Sequence, residues 1–318
     1  MQDFKTWDFV IQQYERQIPV MLLVVLESHG SSPGRKGFKM AVTLTDICGS
    51  IGGGIMEYKF VELAKDKLRE LETGGLVKKQ IHNKVAKKDQ SGMICSGEQT
   101  IFILPIGQSD IDAIVALRQS LISAKNGGMS IQPVGLNFTD VIPTEDFEFN
   151  QSNESDFFYR EKTGYKNELF IVGGGHCSLA LSKFMREMDF RIHLFDDRPD
   201  LNTFLANIFA HNKKLLKSYD ELGQFIPSGK NHYVVVMTFG YRTDDQAVRS
   251  IIQHEYKYLG VLGSKTKMKQ MLEEWKEAGI SEDKLARLHS PIGLPINSQS
   301  PEEIAISIAA EIIQVKNA

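Results

Sequence analysis

The sequence predicts an α/β protein whose second half is a Rossmann-like, doubly wound parallel sheet. Three observations predict it. An apolar run, Leu169-Phe170-Ile171-Val172, stops abruptly at Gly173, Gly174 and Gly175. A helical period then covers residues 177–188, and a second apolar run over 192–195 ends in Asp196 and Asp197. From there, strand and helix patterns alternate to the C-terminus, as expected for parallel strands joined by crossover helices. A glycine turn between strand and helix lets the backbone approach a phosphate, which rests on the free amides of the helix start. A carboxylate about 20 residues further on is placed for a ribose diol.

The first half reads as a mixed α/β unit. Residues 4–16 carry a helical stripe of Phe4, Trp7, Val10, Ile11 and Tyr14. Residues 19–26 are continuously apolar and branched, the mark of a buried strand. A turn-rich loop over 28–37 leads to a strand at 40–44 and a glycine loop over 46–54. Residues 56–71 have a helical period closed by Gly74 and Gly75, and strands are expected at 76–85 and 99–106. Residues 111–124 read as a helix. The composition then turns polar, with 131–138 and 156–160 expected to form a hairpin or a pair of edge strands.

In the second half the expected strands are 168–172, 191–195, 233–237 and 258–262. The expected helices are 177–188, 202–210, 244–255, 265–278 and 301–315. The predicted organisation is a domain over 1–108, a connector over 109–166 and a Rossmann-like domain over 167–318.

At 318 residues the chain is long enough for two domains. Hydrophobic content of 42% supplies a full core, and a formal net charge of −3 argues against a nucleic-acid partner. No apolar run approaches the ~20 residues of a bilayer span, and the first residues lack the plan of a signal peptide. Cys48, Cys95 and Cys177 are too few and too scattered for a disulfide framework, so a reducing cytoplasm is the expected compartment.

Several motifs carry candidate chemistry. Gly173 and Gly175 fit the G-x-G start of a dinucleotide fingerprint, with Ser178 at the third glycine position. Two roles are open to His176: donation to a phosphate, or capping of the helix. Asp196 is the diol position, and Arg198 offers a planar fork for a phosphate. Gly263, Ser264, Lys265, Thr266 and Lys267 follow a strand and open a helix, where free amides, a hydroxyl and two cations favour an anion. Thr238 and Asp244 follow the central strand at the same edge, as do Tyr241 and Arg242. In the first half, Ser31, Ser32, Gly52, Gly53 and Glu57 belong to two donor-rich loops that suit a polar ligand. Cys95 sits in a loop-like setting and is the candidate thiol. Cys95, His176 and Asp244 are the candidates for any catalytic role. No zinc-type cluster, nucleophile elbow or Walker loop is present.

The ordered set of these segments resembles the XdhC/CoxI family, accessory proteins of xanthine dehydrogenase and related molybdenum hydroxylases. The first block is Gly30-Ser-Ser-Pro33, Gly37, Met40, Gly49-Ser50, Gly52-Gly53, Glu57 and Cys95-Ser-Gly97. The second is Phe170-Ile-Val-Gly-Gly-Gly-His176, Phe195-Asp-Asp-Arg-Pro199, Val235-Val-Met-Thr238, Asp244 and Tyr258-Leu-Gly-Val-Leu-Gly-Ser264-Lys265. Ser290-Pro-Ile-Gly-Leu294, Ser300-Pro-Glu-Glu-Ile-Ala305 and Ala310-Glu311 complete it.

The resemblance implies that the chain binds molybdenum cofactor (molybdopterin), protects it, supports its sulfuration by a cysteine desulfurase and delivers it to a hydroxylase. It implies a chaperone without turnover of its own and a homodimer. Residues 173–176, Asp196, Ser264 and Lys265 would hold the pterin and phosphate, and Cys95 would lie near the metal. The chain departs from the family where Ile55 replaces a cysteine and Ser96 a glycine. Phe239-Gly240 replaces a His-Asp pair, and Arg35 is displaced by one position. The alternative reading is an oxidoreductase using NAD(P) or FAD on the same turn.

Overall fold

The computed structural model describes residues 2–82, 97–153 and 155–318. These divide into two compact units, Met1–Gly164 and Tyr165–Ala318.

The first unit runs α1 (Gln2–Glu15), β1 (Met21–Gly30), β2 (Lys39–Val42), β3 (Ile47–Gly49), α2 (Gly54–Arg69), β4 (Leu76–His82), β5 (Gly97–Pro105) and α3 (Gln108–Ile122). It continues with β6 (Gly127–Gln132), β7 (Gly135–Thr139), β8 (Phe147–Asn153) and β9 (Asp156–Thr163). Two antiparallel sheets result, in the orders β3-β2-β1-β5-β4 and β7-β6-β9-β8.

Strand β1 is the centre of the larger sheet and is buried on both faces. Leu22, Val24 and Leu26 join Trp7, Leu117, Met129 and Tyr159 in one cluster. Met21, Leu23 and Val25 face Met56, Phe60 and Ala64 of α2 in another. That two-sided burial is why residues 19–26 show no polar alternation. Helix α3 and the smaller sheet share the first cluster, so residues 109–163 are built into this unit's core. The expected segment 131–138 contains a turn at Pro133 and Val134 and is itself the β6–β7 hairpin. The buried Lys39 ammonium meets Glu161 at 2.7 Å and joins β2 to β9.

The second unit runs β10 (Asn167–Val172), α4 (His176–Arg186), β11 (Phe190–Asp196), α5 (Asn202–Leu205), β12 (Asn212–Leu215), a 3₁₀ turn (Tyr219–Gln224), β13 (Gly229–Val236) and α6 (Tyr241–Ile251). Then follow β14 (Tyr256–Val261), α7 (Lys265–Glu277), α8 (Glu282–Leu285), β15 (Leu288–His289) and α9 (Pro301–Asn317). Its six strands are all parallel, in the order β12-β11-β10-β13-β14-β15.

The chain therefore builds outward from β10 on one side, returns, and builds outward on the other. This is the strand order of dinucleotide-binding sheets, with the topological switch between β10 and β13. Helices α4 and α9 cover Leu169, Ile171, Leu194 and Tyr233 on one face. Helices α6 and α7 cover Phe170, Val172, Val234 and Val261 on the other.

Two expectations are corrected here, and an edge strand had not been expected. The helix expected over 202–210 is only Asn202–Leu205. Asn207 Oδ1 accepts the amides of Phe209 and Ala210, and its Nδ2 donates to Ser182 Oγ, so the side chain replaces the next helical turn. The helix expected from 244 starts at Tyr241, because the Thr243 hydroxyl accepts the Gly240 amide at 3.2 Å. Strand β12 was not expected, since Asn-Lys-Lys-Leu lies fully exposed on the sheet edge and has no apolar signature.

Candidate functional site

Strands β10, β13 and β14 are neighbours and parallel, so the starts of α4, α6 and α7 come to the same sheet edge. At about 4.8 Å per strand, the glycine turn after β10 and the Ser264 turn after β14 lie on the order of 10 Å apart. The two halves of the expected anion site therefore share one rim.

The glycines of the turn do different jobs. Gly173 has φ +103°, and a Cβ there would stand 2.3 Å from the Met237 carbonyl oxygen. Only glycine permits β10 and β13 to end so close together. Gly174 donates its amide to Asp196 Oδ2 at 2.6 Å. Gly175, at φ −71°, is the N-cap of α4, and a Cβ there would meet nothing within 4 Å. Gly240, the N-cap of α6, opens on equally empty space. Buried Ser178 occupies the fingerprint's third position and donates its hydroxyl to the Gly173 carbonyl, locking the turn from inside.

Asp196 is completely buried. Oδ1 accepts the backbone amide and Nε of Arg198, both at 2.9 Å, and Oδ2 accepts Gly174 N–H and Arg198 Nη2 at 2.8 Å. The four strong acceptor directions of a carboxylate are thus occupied. Burial alone would raise its pKa. The Arg198 guanidinium and the two amides outweigh burial and hold the carboxyl below its ordinary value. Asp197 accepts the Tyr219 hydroxyl at 3.1 Å.

Thr238 and Asp244 are equally committed. Asp244 Oδ1 accepts Thr238 N–H at 2.9 Å and Thr238 Oγ1 at 2.6 Å, while Oδ2 pairs with Lys267 Nζ. Lys267 also donates to the Leu262 carbonyl at 3.2 Å, so this network staples the ends of β13 and β14. Ser264 caps α7 by accepting Lys267 N–H at 3.2 Å. Gly263 packs against Met268 and Lys267.

The groups left facing solvent on this rim include His176, Phe239, Lys265 and the first amides of α4, α6 and α7. Helix α4 has no side-chain cap bond, so His176 does not cap it. Cys177 is half-buried, and burial pushes its thiol pKa up, which keeps it protonated near neutral pH.

The loops of the first unit are held by one carboxylate. Glu57 Oε2 accepts Ser50 Oγ at 2.6 Å and the amides of Ile51 and Gly53, each at 2.9 Å. The Gly52 amide turns to Ser50 Oγ at 3.1 Å. Gly52 and Gly53 have φ of +129° and +76°, which glycine alone adopts without strain. Ser32 is buried and donates to Gln99 Oε1 at 2.6 Å, while Ser31 is exposed. The loop amides that looked free in the sequence are thus turned inward. Cys95 lies outside the described residues.

In the sequence Lys267 counts with Lys265 as a cation for an anion, whereas the structure commits Lys267 to Asp244 and the Leu262 carbonyl; the sequence assigns Gln99 and Phe239 no place in these sites. The commitment of Lys267 had a signal, since it stands one turn before Met271 on the buried stripe of α7. Gln99 had none. Among the described residues no group of three or more His, Cys, Asp or Glu side chains is arranged to hold a metal. No helix there is long and apolar enough to cross a membrane.

With the geometry in place, known proteins resemble the chain as follows. Residues 14–78 match the model of the XdhC and CoxI family, and residues 169–312 match that of the XdhC Rossmann domain. The uncharacterized protein YqeB of Escherichia coli K12 is 25% identical over 308 residues, covering 95% of this chain and 44% of that protein. A probable xanthine dehydrogenase subunit of Bacillus subtilis 168 is 28% identical over 155 residues, covering 48% of this chain and 43% of that protein. The matches span less than half the length of either curated relative. A crystal structure of a xanthine dehydrogenase from Bacillus halodurans has the same fold, with a TM-score of 0.72 at 20% identity over 98% of this chain and 96% of that one. Two models of one family, in order on one chain and ending on a sheet with the dinucleotide-binding strand order, place the protein: it belongs to the XdhC and CoxI family.

Proposed function

We propose that this protein is an accessory factor of a xanthine dehydrogenase-type molybdenum hydroxylase. It binds molybdenum cofactor, shields it, supports its sulfuration by a cysteine desulfurase and passes it to the hydroxylase, acting as a homodimer. The observation that carries this reading is the rim of the second unit. Three helix starts converge at the switch point, with open space in front of Gly175 and Gly240 and the exposed Lys265 beside them. Family membership and the name of the Bacillus subtilis relative support the choice of cofactor and partner.

The residues fit the phosphate-bearing end of that cofactor. Orphan amides and helix dipoles attract an anion, Lys265 adds an ammonium, and Gly175 leaves the space a Cβ would take. When bound, the cofactor supplies the molybdenum–dithiolene redox centre. The chain's own part is to hold it. Asp196, Thr238 and Asp244 spend their hydrogen bonds on the rim itself, which suits a carrier better than an acid–base catalyst. The filled acceptors of Asp196 also disfavour a nicotinamide or flavin dinucleotide, which would ask them for a ribose diol.

The test is purification from cells that make molybdenum cofactor, followed by molybdenum and pterin analysis. Co-elution in the parent and its loss in Lys265→Ala support the reading. A protein free of pterin at micromolar concentration, or one that retains tightly bound NAD(P) or FAD instead, overturns it.

A further inference from the structure

One exposed aromatic ring stands on this rim with no role in the fold. Phe239 follows β13 and precedes Gly240, and it is 83% exposed. The Arg198 guanidinium lies 5.5 Å from its ring centroid. Arg198 is held in place by its bonds to the buried Asp196. Strand β10 lies between β11, which carries Arg198 at its end, and β13, which carries Phe239. The Arg198–Phe239 contact therefore crosses the end of β10, beside the glycine turn. A phosphate on the turn brings whatever it carries next to a planar guanidinium and an open phenyl ring.

Both surfaces favour one kind of chemical group. Guanidinium planes and aromatic faces stack on flat heterocycles. A sugar diol finds no acceptor at Asp196, because its oxygens are already taken. We propose that Phe239, braced by Arg198, is the specificity-determining residue of this site, stacking on the planar fused ring of a phosphate-bearing ligand. Pterin and purine share that chemistry. The inference rests on the reading of the glycine turn as a phosphate site and adds the ring selectivity.

The test uses the full chain and its Phe239→Ala and Phe239→Trp variants. The probe is the oxidised, metal-free pterin phosphate obtained from molybdopterin, titrated by its own fluorescence. Guanosine monophosphate and glycerol 3-phosphate serve as competitors with and without a ring. The pterin phosphate is expected to bind the parent about 10-fold or more tighter than glycerol 3-phosphate. Phe239→Ala is expected to weaken it by roughly 5- to 100-fold and leave glycerol 3-phosphate unchanged, while Phe239→Trp retains binding. Guanosine monophosphate competing as well as the pterin would identify a purine source for the same platform. Phe239→Ala binding within about twofold of the parent overturns the platform alone. Absence of binding by all three ligands overturns the phosphate reading and the platform together.

Discussion

Arg198 grips Asp196 with two guanidinium hydrogen bonds, Nε to Oδ1 at 2.9 Å and Nη2 to Oδ2 at 2.8 Å, while Gly174 donates to the same Oδ2. One buried carboxylate thus ties the glycine turn after β10 to the end of β11. Replacing Arg198 with Met leaves that carboxylate buried and half-satisfied. Because Arg198 is partly exposed, water recovers part of the loss, and the expected cost is about 2 kcal/mol in urea unfolding.

The same pair sets an acid limb. The folded pKa of Asp196 is lowered from its ordinary 3.8. Its contribution to stability is full above the unfolded value and is lost as pH falls through the lower folded value. In Arg198→Met the folded pKa rises toward or past the unfolded value, so the Asp196 part of the acid limb is expected to disappear and the stability gap between parent and variant to narrow as pH falls below about 4.

Gly173 and Gly175 are expected to behave oppositely when each is changed to Ala. At Gly173 the φ of +103° and the Met237 carbonyl 2.3 Å from the new Cβ make the side chain impossible without movement. The expected loss is at least about 2 kcal/mol. At Gly175 the backbone is ordinary and the space is open, so stability is expected to stay within about 0.5 kcal/mol. Paired urea titrations check both.

Two lysines one helical half-turn apart separate structure from binding. Lys267 neutralises Asp244, which is 1% exposed. Lys267→Met is expected to cost about 3 kcal/mol by stranding that carboxylate. Lys265 is exposed and pairs with no carboxylate among the described residues. Lys265→Ala is expected to leave the unfolding midpoint unchanged and to reduce binding of the pterin phosphate.

His211 gives the second unit a sensitivity to mild acid. Its Nδ1 accepts the Ile192 amide at 2.9 Å and its Nε2 meets the Tyr165 hydroxyl at 2.6 Å. Burial, helped by Arg186 and Arg191, pushes its pKa down from 6.5 to about 4. The unfolded chain then binds the proton more readily, so this stability is full above pH ~6.5 and is lost progressively as pH falls toward ~4. Thermal melts of the parent and His211→Gln are expected to converge at pH 4.5 and to differ most at pH 7.5.

Much of the second unit was legible because its signals are local. The run over 169–172, the three glycines and the acidic pair at 196–197 each mark one element, and alternation implies the parallel sheet. Edge pieces such as β12 and β15 left no trace, since a strand paired on one side needs no apolar period. The first unit was harder. Its smaller sheet is assembled from polar strands whose partners are set by the shared core around Met129 and Tyr159.

For the site, the sequence indicated which loops meet but not where their polar groups point. Asp196, Asp244 and Glu57 look available as a linear string. Each is instead consumed by nearby donors, Arg198 and Gly174, Thr238 and Lys267, or Ser50, Ile51 and Gly53. Only folding reveals that hydrogen-bond accounting. It moves attention to the groups left over, His176, Lys265, Phe239 and the amides beside Gly175.

The most direct measurement is the pterin content of the Gly175→Val chain purified beside the parent from cells that make molybdenum cofactor. The substitution fills the open space at the glycine turn without straining the backbone, so both proteins are expected to unfold at the same urea concentration. The parent should carry cofactor and the variant none. Equal pterin in both would contradict the placement of the cofactor's phosphate on this turn.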